Sequence, residues 1–271
     1  MKHLILAFAL FVGLNTFAQV KKEIFESFKL QERRDVTYYI PEDYDDEEQH
    51  TLIVVLDGEY LFDNVVAKAK FYHRFSGMPP AIVVGINQSK NQLRYEDCAF
   101  DAENGLPTEK SKLFFEFLGM EIIPKLETTY TISPFKMIVG YDLTANFENF
   151  FLFKENPLFK EIFYHLITET EKSNSTQQIT QLHTALAAID KESFHYYYDE
   201  YETDHTSIAA YGLGKAFEDV FEIFKPISPK EYKQKIIASD KPVFDYLKNK
   251  YILIEETFGF TKKVDLNDIM A

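Results

Sequence analysis

Apolar residues follow two patterns along this chain. In some segments several of them stand in a row, which is typical of strands buried on both faces. In others they recur every three or four positions, which predicts helices with one buried face. The predicted strands span residues 35–40, 51–56, 81–86, 135–140, 162–167 and 194–201. The predicted helices span residues 111–128, 144–153, 176–190 and 208–224.

The order of these elements predicts the fold class. Two or three strands come first, and helices and strands alternate after them. We therefore expect an α/β sandwich with a mostly parallel central sheet and helices on both faces. The segment 226–271 has no strand pattern, and we expect it to form short helices, near 229–238 and 242–250, that pack on this domain as an extension.

The first residues have the pattern of a secretory signal peptide. A short basic start precedes an apolar run from Leu4 to Leu14, and residues 16–18 then resemble the small-x-small pattern of a cleavage site after Ala18. The run is too short to cross a bilayer, and a buried N-terminal helix is the alternative. We predict a signal peptide over 1–18 and an α/β domain over 19–225. The protein is then exported, periplasmic or extracellular, and is not inserted in a membrane once the signal is removed.

Charge and cysteine content exclude several classes of function. Lys and Arg number 29 against 43 Asp and Glu, which gives a formal net charge of −14. Nucleic-acid-binding proteins and proteins that bind anionic membranes usually carry a basic face, so we expect neither kind of partner. The single cysteine, Cys98, excludes an internal disulfide and a cysteine metal cluster. No histidine spacing is typical of a metal site, and we expect no metal and no cofactor.

The segment 137–145 combines a predicted strand, a turn and the start of a predicted helix. A nucleophile elbow has this form, G-x-Nuc-x-G, and the helix N-terminus that follows favours negative charge on the nucleophile and the oxyanion. Gly140 occupies the first glycine position, Asp142 the nucleophile position and Thr144 the second glycine position. The elbow therefore carries a carboxylate where a hydroxyl is usual.

Further motifs accompany the elbow in a fixed order. Residues 33–44 resemble R-x-x-x-V-Y-x-P-x-x-Y, and residues 55–62 resemble L-D-G-E-x-x-F. Residues 80–97 resemble P-x-I-V-V-G-I followed by R-x-x-D, and residues 117–124 resemble F-L-x-x-E-L-I-P. From about residue 27 to about residue 224 the chain resembles the putative-esterase family of the α/β hydrolases, which includes esterase D and the siderophore esterases.

The resemblance implies hydrolysis of carboxylic esters and a set of catalytic positions. The family's nucleophile falls on Asp142 and its histidine on His205, while Glu169 and Glu171 are candidates for the acid. Their order along the chain is the hydrolase order of nucleophile, acid and base. The implied oxyanion hole consists of backbone N–H groups, at Gly58, Glu59 and Leu143.

Two departures from the family leave alternatives open. His205 follows Asp142 by only 63 positions, so either the sheet is one strand short or residues 162–167 supply that strand. Asp142 has three interpretations. It attacks carbon to form an ester intermediate that His205 helps to hydrolyse; it marks a pseudoenzyme, a non-catalytic protein that binds an ester-like or siderophore-like ligand; or a different hydrolysis uses His205 as the base for water. Each implies a small-molecule, ester-like ligand.

Overall fold

The computed structural model describes residues 20–88, 93–99, 101, 107–140, 162–170, 176–190, 193–239, 242–262 and 268. The strands are β1 (Val20–Ser27), β2 (Glu32–Tyr39), β3 (His50–Val55), β4 (Ala81–Ile86), β5 (Ile132–Val139), β6 (Ile162–Glu169) and β7 (Phe194–Tyr201). The α-helices are α1 (Gly58–Ser76), α2 (Leu93–Asp97), α3 (Glu109–Phe117), α4 (Ile123–Thr129), α5 (Thr176–Ala187), α6 (Ile208–Phe221), α7 (Pro229–Glu231) and α8 (Val243–Phe258).

Short turns of other helix types extend four of these helices. A π-helical turn, Leu118–Ile122, joins α3 to α4, so that the two form one helical segment where the sequence predicts a helix over 111–128. A 3₁₀ turn, Glu222–Phe224, follows α6. A second π-helical turn, Tyr232–Ile237, follows α7.

Five of the strands form one sheet in the order β1-β2-β4-β3-β5. Strands β4, β3 and β5 are mutually parallel, as the apolar runs predict, whereas β2 is antiparallel to β4 and β1 is antiparallel to β2. Strands β6 and β7 pair in parallel as a second, two-stranded sheet. The α/β fold class expected from the sequence, a central sheet with helices on both faces, is confirmed.

The central strands are apolar on both faces because a separate hydrophobic core lies on each side of the sheet. All six residues of β3 are buried. Ile53 and Val55 point into a core shared with α1, α6 and α8, and Leu52 and Val54 into one shared with α3 and α4. Full burial of one such side chain stabilises the fold by about 1.5–3 kcal/mol, so these alternating positions fix the register of the sheet.

Helix α1 connects β3 to β4 and packs tightly on β4. A Cβ atom added at Gly58 would lie 2.9 Å from the carbonyl carbon of Gly85, and one added at Gly85 would lie 2.7 Å from the ring of Phe62. Glycine at both positions lets the first turn of α1 lie directly on the strand. Helix α1 is not among the elements that the apolar pattern of the sequence predicts.

The C-terminal residues pack into the core of the sheet. Ile254 and Phe258 of α8 are buried in the cluster that contains Phe221 and Phe224 of the α6 region. The ring of Phe258 lies 4.6 Å from that of Phe135 on β5. Helix α8 begins where the sequence predicts a helix over 242–250 and continues further, to Phe258.

Several predicted features lie outside the described residues. They are the signal peptide at 1–18, the elbow with Asp142 and Leu143, the helix at 144–153, and the residues between that helix and β6, on which the question of a missing sheet strand depends. Among the residues that the structure does describe, no helix combines the length and the apolar character needed to span a membrane.

Candidate active site

The predicted acid and the predicted base meet at the carboxyl ends of two paired strands. Glu169 ends β6 and pairs in register with Tyr201, which ends β7. The loop after β7 carries His205, whose Nδ1 lies 3.3 Å from Oε1 of Glu169. The Glu169 side chain is 7% exposed and that of His205 is 51% exposed. A buried carboxylate thus holds one nitrogen of an imidazole that faces solvent.

Alternation along β6 explains why Glu169 points towards His205. Side chains two residues apart on a strand share a face, so Glu169 lies on the same face as Ile167. Ile167 contacts α6, since a Cβ added at Gly212 of that helix would lie 2.5 Å from it. His205 precedes α6 directly and therefore lies on this face. The other candidate acid, Glu171, lies outside the described residues.

The loop that carries His205 is fixed by its neighbour Asp204. One carboxylate oxygen of Asp204 accepts the backbone N–H groups of Thr206 and Ser207, both at 2.9 Å, and the other accepts the Ser207 hydroxyl at 3.0 Å. These hydrogen bonds, with those of Ser207 foremost, lower the pKa of the Asp204 carboxyl. His205 lies within this turn, so its backbone is held in place before α6 begins.

The predicted oxyanion loop joins β3 to α1 in a strained conformation. Asp57 is buried and has φ 53° and ψ 43°, in the left-handed region that non-glycine residues rarely adopt. Its carbonyl accepts the N–H groups of Tyr60 and Leu61, which closes the first turn of α1. Gly58 and Glu59 open this turn, where backbone N–H groups have no acceptor within the helix itself. Such N–H groups are suited to binding an oxyanion.

Gln88, just after β4, holds this loop in place through hydrogen bonds. Its Oε1 accepts the backbone N–H of Asp57 at 3.1 Å, and its own backbone N–H donates to Oε2 of Glu59 at 3.1 Å. Its Nε2 donates to Oδ2 of Asp97 at 2.8 Å. Gln88 thereby links both ends of the Asp57–Glu59 loop to the interior, Asp57 through its side chain and Glu59 through its backbone N–H.

Asp97 in turn is fixed by Arg34 of β2. The guanidinium donates two hydrogen bonds to the carboxylate, at 2.7 and 2.6 Å, and also contacts Glu32. Burial raises the pKa of the Asp97 carboxyl, while the bonds from Arg34 and Gln88 oppose that rise. A buried chain of hydrogen bonds therefore runs from β2 to the loop at the start of α1.

Two helices bring the oxyanion loop and His205 to the same end of the molecule. Asn64 of α1 donates to the carbonyl of Ala209 at 3.4 Å, and Tyr72, two turns further along α1, donates to the carbonyl of Gly214 at 2.7 Å. The two helices therefore run side by side in the same direction. The residues just before and within their first turns are the oxyanion loop and the His205 loop.

Sequence reasoning missed the supporting residues of this site. Arg34, Asp97 and Arg94 stand in the motifs that carry the family resemblance, but the spacing of those motifs assigns them no role. Arg94 Nε lies 3.2 Å from Oδ1 of Asp57, so this residue too contacts the loop. Gln88 follows the apolar run of β4, and its polar side chain at that strand end was the signal available.

A family model described as "Putative esterase" matches residues 27–145. The match includes the oxyanion loop, the chain of residues behind it and the predicted elbow. It ends before Glu169 and His205. A search of curated proteins finds no match to the sequence.

Solved structures with the same fold cover most of this chain. An uncharacterised protein from Capnocytophaga ochracea superposes with a TM-score of 0.83 and 27% identity over 93% of this chain and 78% of its own. An IroE-like serine hydrolase from Shewanella oneidensis superposes with a TM-score of 0.65 and 17% identity over 93% of this chain and 92% of its own.

The enterobactin esterase Fes from Shigella flexneri, in the presence of 2,3-dihydroxy-N-benzoyl-serine, superposes with a TM-score of 0.56 and 16% identity over 74% of this chain and 60% of its own. At such identities the last two structures establish the fold. The family match covers the motifs from which the resemblance was inferred. The resemblance of this chain to the putative-esterase family is thus confirmed over residues 27–145, and its fold is that of the α/β-hydrolase-type esterases.

Proposed function

We propose that this protein hydrolyses small-molecule carboxylic esters, with His205 as the general base and Glu169 as the acid that orients it. The observation that carries the proposal is the contact of 3.3 Å between His205 Nδ1 and Glu169 Oε1. An ionised carboxylate can accept hydrogen bonds but cannot donate them. Nδ1 of His205 is therefore the donor, and Nε2 is the basic nitrogen of the neutral ring. This is the arrangement in which an imidazole removes a proton from a nucleophile.

The described residues support a direct attack by water. His205 Nε2 removes a proton from a water molecule, whose oxygen adds to the ester carbonyl carbon. The carbonyl oxygen becomes an oxyanion held by the N–H groups of Gly58 and Glu59, which Gln88 keeps in position. Collapse of this intermediate breaks the bond to the alcohol oxygen, which takes up the proton from His205. The products are a carboxylic acid and an alcohol.

Asp142 offers a second route with the same base. Its carboxylate would attack the alkyl carbon of the ester, release the carboxylic acid and form an ester with the enzyme. Water activated by His205 would then hydrolyse that ester to the alcohol and regenerate Asp142. A single turnover in ¹⁸O-labelled water separates the routes. The covalent route places the label in the Asp142 carboxylate, and direct attack places it in the released acid.

The aspartate at the elbow favours a second candidate function, that of a non-catalytic binding protein. In this case the site between the two loops binds an ester-like or siderophore-like ligand without cleaving it. The same pair, Glu169 and His205, would then form hydrogen bonds with the ligand.

We further propose that residues 1–18 are a signal peptide and that the protein is exported. N-terminal sequencing of the mature protein from a secreting host tests this, with a start at Gln19 as the expected result.

Initial rates on short-chain p-nitrophenyl esters and on methyl esters of the same acids decide between the two candidates. The methyl esters are included because the Asp142 route attacks a saturated alkyl carbon, whereas the alcohol carbon of a p-nitrophenyl ester is aromatic. The wild type is compared with Asp142→Ala, His205→Ala and Glu169→Gln. Glu200→Gln is the matched control for Glu169→Gln. Glu200 lies near the end of the neighbouring strand β7, is exposed, and points to the opposite face of the sheet. We expect turnover in the wild type and in Glu200→Gln, and its loss in His205→Ala. No turnover above buffer in the wild type would contradict hydrolysis and favour the binding protein.

A further inference from the structure

Three side chains from β6, β7 and α6 meet beneath α6. They are His165, Asp199 and Asp219, and one potential ligand atom from each lies within 4.8 Å of the others. His165 is paired in register with Tyr197, and Asp199 stands two residues further along β7, so both point to the face covered by α6. No motif in the sequence connects the three.

The histidine is buried in an unusual electrostatic setting. Its side chain is 5% exposed, and its Nε2 lies 2.7 Å from Oδ2 of Asp199. Its Nδ1 lies 3.5 Å from Oδ2 of Asp219 and is a buried nitrogen for which the described part of the chain supplies no hydrogen-bond partner. If Nε2 donates its proton to Asp199, the lone pair of Nδ1 points at a second carboxylate. Two acceptors then face each other with a cation-sized gap between them.

We propose that His165 Nδ1 and the Asp219 carboxylate bind a divalent transition-metal ion of the zinc class. Two ligands of a tetrahedral zinc ion, at about 2.0–2.1 Å from it, stand roughly 3.3 Å apart, and the observed separation is 3.5 Å. An imidazole with carboxylates is a donor set suited to zinc, iron or manganese. The proposal does not depend on ester hydrolysis.

Asp199 orients the imidazole in this site. A metal-bound histidine usually donates its other N–H to a carboxylate, which fixes the tautomer and strengthens the ligand. The bond from His165 Nε2 to Asp199 is of this kind. Asp199 is 32% exposed, so water can reach the site and complete the coordination of the ion.

Lys215 competes with the ion for Asp219. It lies one turn before Asp219 on α6 and its ammonium donates a hydrogen bond to the carboxylate. The Lys215 side chain is 40% exposed, so its ammonium can move into water when an ion arrives. This competition lowers the affinity for the metal, and removal of the ammonium raises it.

The test uses the full, tag-free chain after a chelator has removed bound metal. Binding of Zn²⁺ is measured by calorimetry, and binding of Co²⁺ is measured by visible absorption. We expect one ion per chain. Asp199→Asn removes the partner that orients His165, and we expect the affinity for the metal to fall by about tenfold to a hundredfold. Asp219→Asn removes a ligand of the metal, and we expect a larger loss of affinity. Lys215→Met is expected to bind more tightly than the wild type by about tenfold. Glu218→Gln is the matched control, because Glu218 lies on the same helix but pairs with Lys225, and its affinity should equal that of the wild type.

A gain of affinity in Lys215→Met is a result that a misfolded variant cannot produce, and circular dichroism checks the fold of the others. If neither the wild type nor Lys215→Met binds one ion per chain, the proposal is wrong. It is equally wrong if Asp219→Asn binds as tightly as the wild type.

Discussion

The guanidinium of Arg34 donates two hydrogen bonds to the carboxylate of Asp97, and these side chains are 1% and 0% exposed. A charged pair with so little contact with water is costly to bury and costly to break. Its position explains its presence. Asp97 is the point at which the sheet, through Arg34, supports Gln88 and hence the oxyanion loop.

Replacing Asp97 by Asn is expected to destabilise the protein by about 3 kcal/mol, because it leaves the Arg34 charge without its bidentate partner. Urea unfolding measures the change. The control is Glu26→Gln, which breaks the contact with Arg33 between two side chains that are more than 70% exposed. It should cost less than about 1 kcal/mol. Equal effects of the two variants would show that the buried pair does not stabilise the fold.

Replacing Gln88 by Leu keeps the volume of the side chain but removes the acceptor for the Asp57 N–H. We expect kcat for ester hydrolysis to fall by about tenfold to a hundredfold with little change in KM, because the loop is displaced rather than removed. Gln181→Leu, at an exposed position on α5, is the control. Amide hydrogen exchange at residues 57–59 is measured in parallel and should accelerate in Gln88→Leu alone. Unchanged exchange would show that Gln88 does not hold the loop.

Replacing Gly212 by Ala is expected to destabilise the protein by about 1–3 kcal/mol, because the new Cβ would lie 2.5 Å from Ile167 and push α6 away from β6. Gly214→Ala, on the same helix, is the control. Its Cβ would meet the nearest atom, Lys68 Nζ, at 3.5 Å, so the better helix propensity of alanine should stabilise the protein by about 0.5–1 kcal/mol. Thermal unfolding reports both. Ile167→Ala removes both atoms that the new Cβ would meet most closely, so Ile167→Ala combined with Gly212→Ala should cost less than the sum of the two single substitutions.

Asp268 makes the stability of the C-terminal region depend on pH, so that it falls at acidic pH. Burial alone would raise the pKa of its carboxyl, but bonds from Tyr251, the Ile227 N–H and Lys250 lower it below the ordinary value of 3.8. The stabilisation is therefore fully present above pH 3.8 and is lost as the pH falls through the lower, folded-state pKa. Asp268→Asn should remove this dependence and cost about 3 kcal/mol at neutral pH, since Lys250 stays buried without its charge partner.

Urea unfolding from about pH 7 to about pH 2 provides the measurement. Glu256→Gln, an exposed position on α8, is the control and should change stability by less than about 0.5 kcal/mol. The prediction is wrong if Asp268→Asn and the wild type lose stability in parallel as the pH falls.

Uniform burial makes the central strands easy to predict from the sequence. Strands β3 and β4 are buried at every position and appear in the sequence as unbroken apolar runs. Strand β1 was not predicted, because five of its eight residues are polar or charged and most of it faces solvent. Helix α1 was also missed, although Leu61, Val65 and Ala69 recur at helical spacing on its buried face.

Candidate site residues divide in the same way. His205 and Glu169 could be named as candidates in advance because they follow predicted strands and because the resemblance to the family implies their roles. Gln88 and Asp97 could not, since their function depends on which strand ends stand side by side. The contact of His165 with Asp219 depends on the packing of α6 against β6, which no spacing in the sequence encodes.

The side-by-side course of α1 and α6 has a mechanical consequence. The hydrogen bonds from Asn64 to Ala209 and from Tyr72 to Gly214 connect two helices, of which α1 follows the oxyanion loop and α6 follows the His205 loop. A ligand that contacts both loops would restrain both helices at once, and the restraint would extend along their lengths. Binding at the tips should therefore slow amide exchange deep within both helices, far from any atom that the ligand touches.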